Sequence, residues 1–280
     1  MKRYEIAGLK VDMEVSGETQ LRAEAYETSA NGPADITLTC DARRVLALNP
    51  GMENLDTALY MGTGAYFARE LLNYEGTFLH ASAVVLEGKA YLFSAHSGTG
   101  KSTHTEKWCR LFGAHYLNDD KPALRCIDGT WIAYGTPWSG KYDLSSPEGA
   151  PVGGIAFLKR GEENSIRPIT PREALPRLMA QSLLKLSKTQ METQLTLVDS
   201  LLRKVPLWEL TCRNDDEAAQ LAHRAMTGGN GISVNGNGPF ATGKRRKSQF
   251  DRYRNQYASH APGTSGFCDI GATKSGFETR

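Results

Sequence analysis

No stretch of the sequence approaches the roughly 20 consecutive apolar residues that a membrane-spanning helix requires, so no membrane partner is expected. Cysteine is sparse. The five present (Cys40, Cys109, Cys126, Cys212 and Cys268) are odd in number, scattered and without metal-ligand spacing. That pattern reads as reduced thiols in the cytosol and speaks against a zinc site. An excess of charge of one sign is also missing. Thirty-three basic residues face 31 acidic ones for a net +2, so the overall balance predicts no nucleic-acid partner. Met1 to Ile6 carries two basic residues with no apolar run behind them, and no secretory signal is expected. Together these absences describe a cytoplasmic globular protein. Its 280 residues are enough for one large domain or two small ones.

Three regions follow from the patterning. Residues 1–76 alternate short polar and apolar stretches, with turn signals at Ser16-Gly17 and Asn31-Gly32-Pro33 and strand period at Ile36 to Cys40. They read as a small β-rich N-terminal region. It ends in a helical stretch from about Leu55 to Asn73, which Gly62 and Gly64 are expected to break. Residues 77–226 are more legible. Leu79–Leu86 and Lys89–Ser94 flank Glu87-Gly88, and Ala123–Ile127 and Thr130–Tyr134 flank Asp128-Gly129, giving two hairpins. His115–Asn118, Gly154–Leu158 and Leu207–Cys212 read as strands, and Ser102–Phe112 as a helix stopped by Gly113. Thr170-Pro171-Arg172-Glu173 is a capping box for a helix run to about Ser187, with a kink at Pro176. Helices over Thr189–Lys204 and from Asn214-Asp215 to about Met226 complete the region. From residue 227 to 280 glycines, serines, asparagines and basic residues dominate without apolar period, and disorder is expected. Lys244-Arg245-Arg246-Lys247 within this tail reads as a solvated basic run.

The chemistry is concentrated where a buried strand, Ala90–Ser94, runs into Ser97-Gly98-Thr99-Gly100-Lys101-Ser102-Thr103 and then a helix. Glycines there let successive backbone N–H groups face one concavity, a cradle for phosphate oxygens at a helix N-terminus. Lys101 is placed to reach the β- and γ-phosphates, and the Ser102 hydroxyl to ligate magnesium. This predicts ATP with Mg2+. The full motif has glycine at the position of Ala95, a mild departure unless that backbone must be left-handed. Some 18 residues beyond the lysine, Asp119 and Asp120 end a short strand. One carboxylate beside the phosphates could hold magnesium and the other take a proton from an attacking hydroxyl. The expected assignment is Asp119 as base and Asp120 as metal ligand, with the reverse order open. His80, early in the strand antiparallel to the phosphate strand, reaches the loop only if the register brings it there. In Gly135-Thr136-Pro137-Trp138-Ser139-Gly140-Lys141, Trp138 and Lys141 are candidates to close over the phosphates or the acceptor.

With these segments in view the chain resembles the kinase domain of bacterial HPr kinase/phosphorylase, whose fold kernel is shared with phosphoenolpyruvate carboxykinase. The resemblance covers about Phe78 to Met226. It rests on Leu79-His80-Ala81-Ser82-Ala83-Val84-Val85, on Ser94 to Thr103, and on Leu117-Asn118-Asp119-Asp120. It implies an α/β fold with a mixed sheet around the phosphate loop, a histidine (here His80) beside the active site, and an aspartate pair serving magnesium and the acceptor hydroxyl. Three departures stand out: Ala95, the lack of an Arg-Gly-Leu-Gly signature, and a dissimilar N-terminal region. They point away from the phosphocarrier substrate and phosphorolysis, toward divergent members that resemble tailoring kinases of ribosomally made peptides. The arginine and metal-ligand set of a carboxykinase is missing, so decarboxylation is not expected.

The functional expectation is γ-phosphoryl transfer from ATP to a hydroxyl, with a serine of a peptide or protein as the leading acceptor. A kinase of a small hydroxylated metabolite and a non-catalytic ATP-binding regulatory module are the alternatives. The expected catalytic residues are Asp119, Lys101, His80 and Lys141. Ser97 to Thr103 are expected to bind nucleotide, and Ser102 and Asp120 to bind metal.

Overall fold

Alternating burial along Lys2–Ile6 (β1) and Leu9–Met13 (β2) makes an antiparallel pair, which Ile36–Leu38 (β3) joins in parallel. This computed structural model describes residues 1–182 and 186–228. Between and after these strands come helices Gly17–Ala23 (α1), Ala42–Leu48 (α2) and Leu55–Glu70 (α3), so the N-terminal region is more helical than β, contrary to the β-rich expectation. Helix α3 runs unbroken through Gly62 and Gly64, contrary to the sequence expectation. The two glycines are there for space. A Cβ at Gly64 would lie 2.8 Å from the Trp138 indole, and one at Gly62 would overlap Cys40 and press on Val45. Close packing on both sides outweighs the roughly 1 kcal/mol that glycine costs a helix.

The chain then passes through Gly76–Phe78 (β4), the hairpin Ala81–Leu86 (β5) and Lys89–Ser94 (β6), helix Lys101–Phe112 (α4) and strand His115–Asn118 (β7). The hairpin Ala123–Ile127 (β8) and Thr130–Tyr134 (β9) follows, then the long strand Gly149–Arg160 (β10) and Ser165–Pro168 (β11). Helices Pro171–Ser182 (α5) and Lys188–Lys204 (α6), strand Leu207–Cys212 (β12) and helix Asp216–Thr227 (α7) complete the described fold. Both predicted hairpin turns form. Glu87 and Gly88 have φ of 51° and 74°, and Asp128 and Gly129 have 49° and 78°, as a two-residue type I′ turn requires.

Among the described residues these strands form one curled mixed sheet in the order β4-β8-β9-β10-β6-β5-β7, with β12 also on β10 and β11 on β12. β10 makes the curl. Its start pairs antiparallel with β9, and its remainder runs parallel to β6 and β12. One face packs on α5 and α6 through Leu178, Val198 and Leu201, and the other on α4 and α7 through Trp108, Ala218 and Ala222. A third core joins Tyr4, Ile6 and Phe67 of the N-terminal region to Phe78, Ala123 and Trp138.

The expected helix signals hold. Glu173 closes on the Thr170 N–H at 2.9 Å ahead of α5, Gly113 adopts φ 73° after α4, and Asp215 caps α7. Ser187, expected near the end of α5, instead caps α6 in a capping box with Gln190. The last helix extends to Thr227. The expectation of a disordered tail falls, from residue 229 on, outside the described residues.

Candidate active site

The glycine loop spans the gap from the end of β6 to the start of α4. Gly98 and Gly100 hold φ of 77° and 115°, which side-chain-bearing residues rarely adopt. Ala95 has no such left-handed backbone, so its methyl is tolerated where the full motif has glycine. Space around Gly98 is open, whereas a Cβ on Gly100 would overlap the Asn214 amide that packs on the loop from the end of β12. At the end of β10, the Arg160 guanidinium donates to Gly98 O at 2.5 Å and Thr99 O at 3.4 Å. These bonds engage outward carbonyls of the loop, and the N-terminus of α4 brings its own field to the same place.

Lys101 is almost fully buried. Its ammonium donates to Ala95 O at 3.1 Å and lies 3.2 Å from His80 Nε2. The condition set on His80 is therefore met by register. Pairing of Ala81 with Ser94 in the β5–β6 hairpin places His80 at the loop's base. Its Nε2 is also 3.2 Å from Asp120 Oδ1, while Nδ1 meets Gln181 Oε1 at 2.9 Å. The Gln181 carbonyl accepts the His80 N–H as well, which fixes the end of α5 to this strand.

Asp119 and Asp120 arrive from a strand that is not paired with β6. The strand beside β6 on this side is β5, which runs antiparallel to it; β7 lies one strand further out and antiparallel to β5. β7 therefore ends at the same edge as β6, with the start of β5 between them. Fully buried Asn118 shapes the turn. Its Oδ1 accepts from the N–H groups of Asp120 and Lys121 at 2.9 and 2.6 Å, and its amide donates to Thr136 O at 2.9 Å. The two carboxylates then face different surroundings. Asp119 Oδ1 accepts from Ser82 Oγ at 2.6 Å, and Ser102 also donates to this carboxylate. Burial, aided by Asp120, pushes Asp119 up to about 6 against the pull of those hydroxyls and Lys101. Burial also pushes Asp120 upward, but the Lys121 ammonium bonded to it and His80 together outweigh that push, leaving it well below the ordinary carboxylate range.

The structure thus gathers Lys101, Ser102, Asp119, Asp120 and His80 in one shell. Trp138 is placed elsewhere, and Lys141 follows Gly140, which borders Asp120. Trp138 is fully buried, stacks on Phe67 at 5.1 Å and donates to Thr63 Oγ1, so it belongs to the N-terminal core and cannot close over phosphates. Lys141 is exposed, with its ammonium 4.5 Å over the Tyr142 ring. Ser97 and Thr103 are exposed at the loop and the first turn of α4. His104 is core: it is fully buried 4.6 Å from Phe93, and burial pushes it down to about 3. Sequence reasoning missed Ser82, Lys121, Gln181, Asn214 and Arg160. Ser82 and Lys121 sit next to residues already singled out, and Gln181, Asn214 and Arg160 are delivered by the ends of distant elements. Among the described residues no group of three or more His, Cys, Asp or Glu could hold a metal alone. No described helix is long and apolar enough to cross a membrane.

No protein-family model matches this chain, and no curated protein matches it. Among solved structures, the HPr(Ser) kinase/phosphatase from Coxiella burnetii aligns with a TM-score of 0.34 at 12% identity. That alignment covers 55% of this chain and 99% of the other, a likeness too distant to bear on function. What the chain does has to be argued from its own residues.

Proposed function

We propose that this chain is an ATP- and magnesium-dependent kinase, transferring the γ-phosphoryl group to a hydroxyl, with a serine of a peptide or protein as the expected acceptor. One observation carries the reading. A glycine loop with the required left-handed residues presents Lys101 and Ser102 beside two carboxylates of opposite electrostatic character. The loop N–H groups, the α4 N-terminus and Lys101 would hold the phosphates. The contact of Lys101 with Ala95 O is one that phosphate oxygens can replace.

The donor set suits magnesium beside a triphosphate, which needs only a hydroxyl and one carboxylate besides phosphate and water. Ser102 and Asp119 fit it, since the two are already bonded and Asp119 is a buried carboxylate lacking a full counter-charge. When bound, the metal would offset charge on the phosphate oxygens. This favours the reverse of the order first expected for the pair. Asp120, held by His80 and Lys121, is then the carboxylate that orients the acceptor hydroxyl and receives its proton. Its low basicity is no obstacle, because a loose phosphoryl-transfer transition state asks more for placement than for a strong base. Lys141 has no role in this scheme.

The test is transfer of radiolabelled γ-phosphate from ATP with magnesium to serine-containing peptides, proteins and hydroxylated metabolites, with calorimetry of Mg–ATP alongside. Labelling of a serine supports the proposal as stated, and labelling of a metabolite alone corrects the acceptor. Absence of Mg–ATP binding would sink it.

A further inference from the structure

The mechanism leaves unexplained a buried arginine far from the loop in sequence. Arg22, on α1, is 8% exposed, and all three of its guanidinium nitrogens donate hydrogen bonds. It donates to Glu18 Oε1 at 2.5 and 3.0 Å, to Ser139 Oγ at 3.2 Å and to the carbonyl of Gly140, with Asp143 at 3.7 Å. It also lies 5.0 Å over the Tyr60 ring of α3. The Tyr60 hydroxyl in turn accepts the Gly140 N–H at 3.1 Å. Both backbone polar groups of Gly140 are thus held by side chains of the N-terminal region. Gly140 has φ 76°, and a Cβ there would sit 2.8 Å from Asp120 Cβ. The peptide pinned by Arg22 and Tyr60 therefore rests directly on Asp120, whose carboxylate also meets His80 and Lys121.

We infer that Arg22 and Tyr60 are positioning residues for Asp120: the N-terminal region clamps the Gly140 peptide and through it fixes the carboxylate on the acceptor side of the site. Desolvating a guanidinium is costly unless its donors find partners, and here they are shared between Glu18 of the same helix and the loop at Ser139 and Gly140. The contact needs glycine at 140 both for its φ and for the approach to Asp120. The packing of α1 and α3 is thereby linked to the acceptor side, while the phosphate loop is held separately by β6, Arg160 and Asn214. The part of the inference concerning catalysis rests on the kinase reading; the mechanical coupling does not.

The experiment uses the full chain with Tyr60→Phe, which removes only the hydroxyl, and Arg22→Ala. Hydrogen exchange is read at residues 138–143 and at 119–121, with Mg–ATP affinity by calorimetry, phosphoryl transfer to water by phosphate release and transfer to an acceptor by incorporation of labelled γ-phosphate. Tyr60→Phe should stay folded, which its melting profile checks. It should exchange faster in both segments, keep Mg–ATP affinity within about twofold, and lose roughly 3- to 10-fold in kcat with the KM for ATP unchanged, as expected for one lost orienting hydrogen bond. Arg22→Ala should deepen the same pattern. Faster exchange confined to 138–143, with 119–121 unchanged in Tyr60→Phe, would overturn the coupling, since the loop would then be packed without holding Asp120. If the parent neither binds Mg–ATP nor transfers phosphate, the kinase reading fails while the exchange arm still decides the coupling. If the parent is active and Tyr60→Phe retains parental kcat, the positioning role is refuted.

Discussion

Asp119→Asn removes a charge and keeps the shape of the side chain, so its effect can be sized from the site. The parent carboxyl rises from 3.8 to about 6 because it is buried without a full counter-charge. A difference of that size corresponds to roughly 3 kcal/mol. The sign follows from the raised value. As pH climbs from about 4 to 6 the unfolded chain sheds this proton before the folded one does. Stability present at the acid end is lost over that window, and none of it remains above pH 6. The asparagine variant carries no such penalty, and its Oδ1 can still accept from Ser82. In metal-free buffer with chelator at pH 7.5 it should therefore be more stable than the parent, by up to roughly 3 kcal/mol, which is about 5–10 °C in a protein of this size. At pH 4.5 the gap should shrink to about a third. Adding magnesium and ATP should raise the melting temperature of the parent and leave the variant almost unmoved. The measurement is a set of calorimetric or circular-dichroism melts at the two pH values, with and without Mg–ATP. A folded variant that melts below the parent at pH 7.5 in chelator would refute the premise that Asp119 is a destabilising buried charge awaiting a cation.

The neighbouring carboxylate should behave in the opposite way. Asp120 is held below the ordinary range by Lys121 and His80, against its burial, so its contribution is present at neutral pH and lost as pH falls through the acid range. Asp120→Asn should lower the melting point at pH 7.5, leave Mg–ATP affinity near parental and cut transfer by about 100-fold or more; unimpaired transfer would remove Asp120 from the mechanism. Lys101→Ala should abolish transfer and weaken Mg–ATP binding, at a stability cost of about 1 kcal/mol for its bond to Ala95 O. Turnover at the parental rate in that variant is incompatible with a phosphate-binding role for the loop. Gly64→Ala should destabilise by about 1–3 kcal/mol through its clash with the Trp138 indole, and an unshifted melt would show that this helix–loop contact is looser than described.

Elements set by local chemistry could be read directly. Glu87-Gly88 and Asp128-Gly129 need positive φ at both positions, and few other dipeptides supply it, so both hairpins were visible without a structure. The loop from Ser97 to Ser102 and the capping residues Thr170, Glu173 and Asp215 were legible for the same reason. Failures occur where a residue's reason lies across the fold. Gly62 and Gly64 look like helix breakers in the chain and act as clearance for Cys40 and Trp138 in space. Trp138, in a loop rich in Pro and Gly, reads as a lid, but its indole faces Phe67 and Phe78. The contacts of Ser82, Asn118 and Gln181 were not legible, because β5–β7 pairing and the docking of α5 make them. The order of the aspartate pair could not be read either, since it depends on which carboxylate meets Ser102 and which meets His80.

The topology explains why the two flanks of the loop differ. β6 has a parallel neighbour in β10 on one side and an antiparallel neighbour in β5 on the other. On the parallel side, strands arriving with their C-terminal ends deliver Arg160 and Asn214, a cation and an amide that bind loop carbonyls. On the antiparallel side, the start of β5 delivers His80 and Ser82, and β7, running parallel to β6 one strand away, ends in both carboxylates. The carboxylates in contact with the loop's Lys101–Ser102 end therefore lie on one flank, the flank that α5 and the Gly140 peptide also border. On the proposed kinase reading, a reversal of strand direction next to the loop strand is what would separate phosphate-holding groups from proton- and metal-handling ones. If β5 ran parallel to β6, His80 would fall at the far edge of the sheet and Asp120 would lose the imidazole that helps keep it ionised.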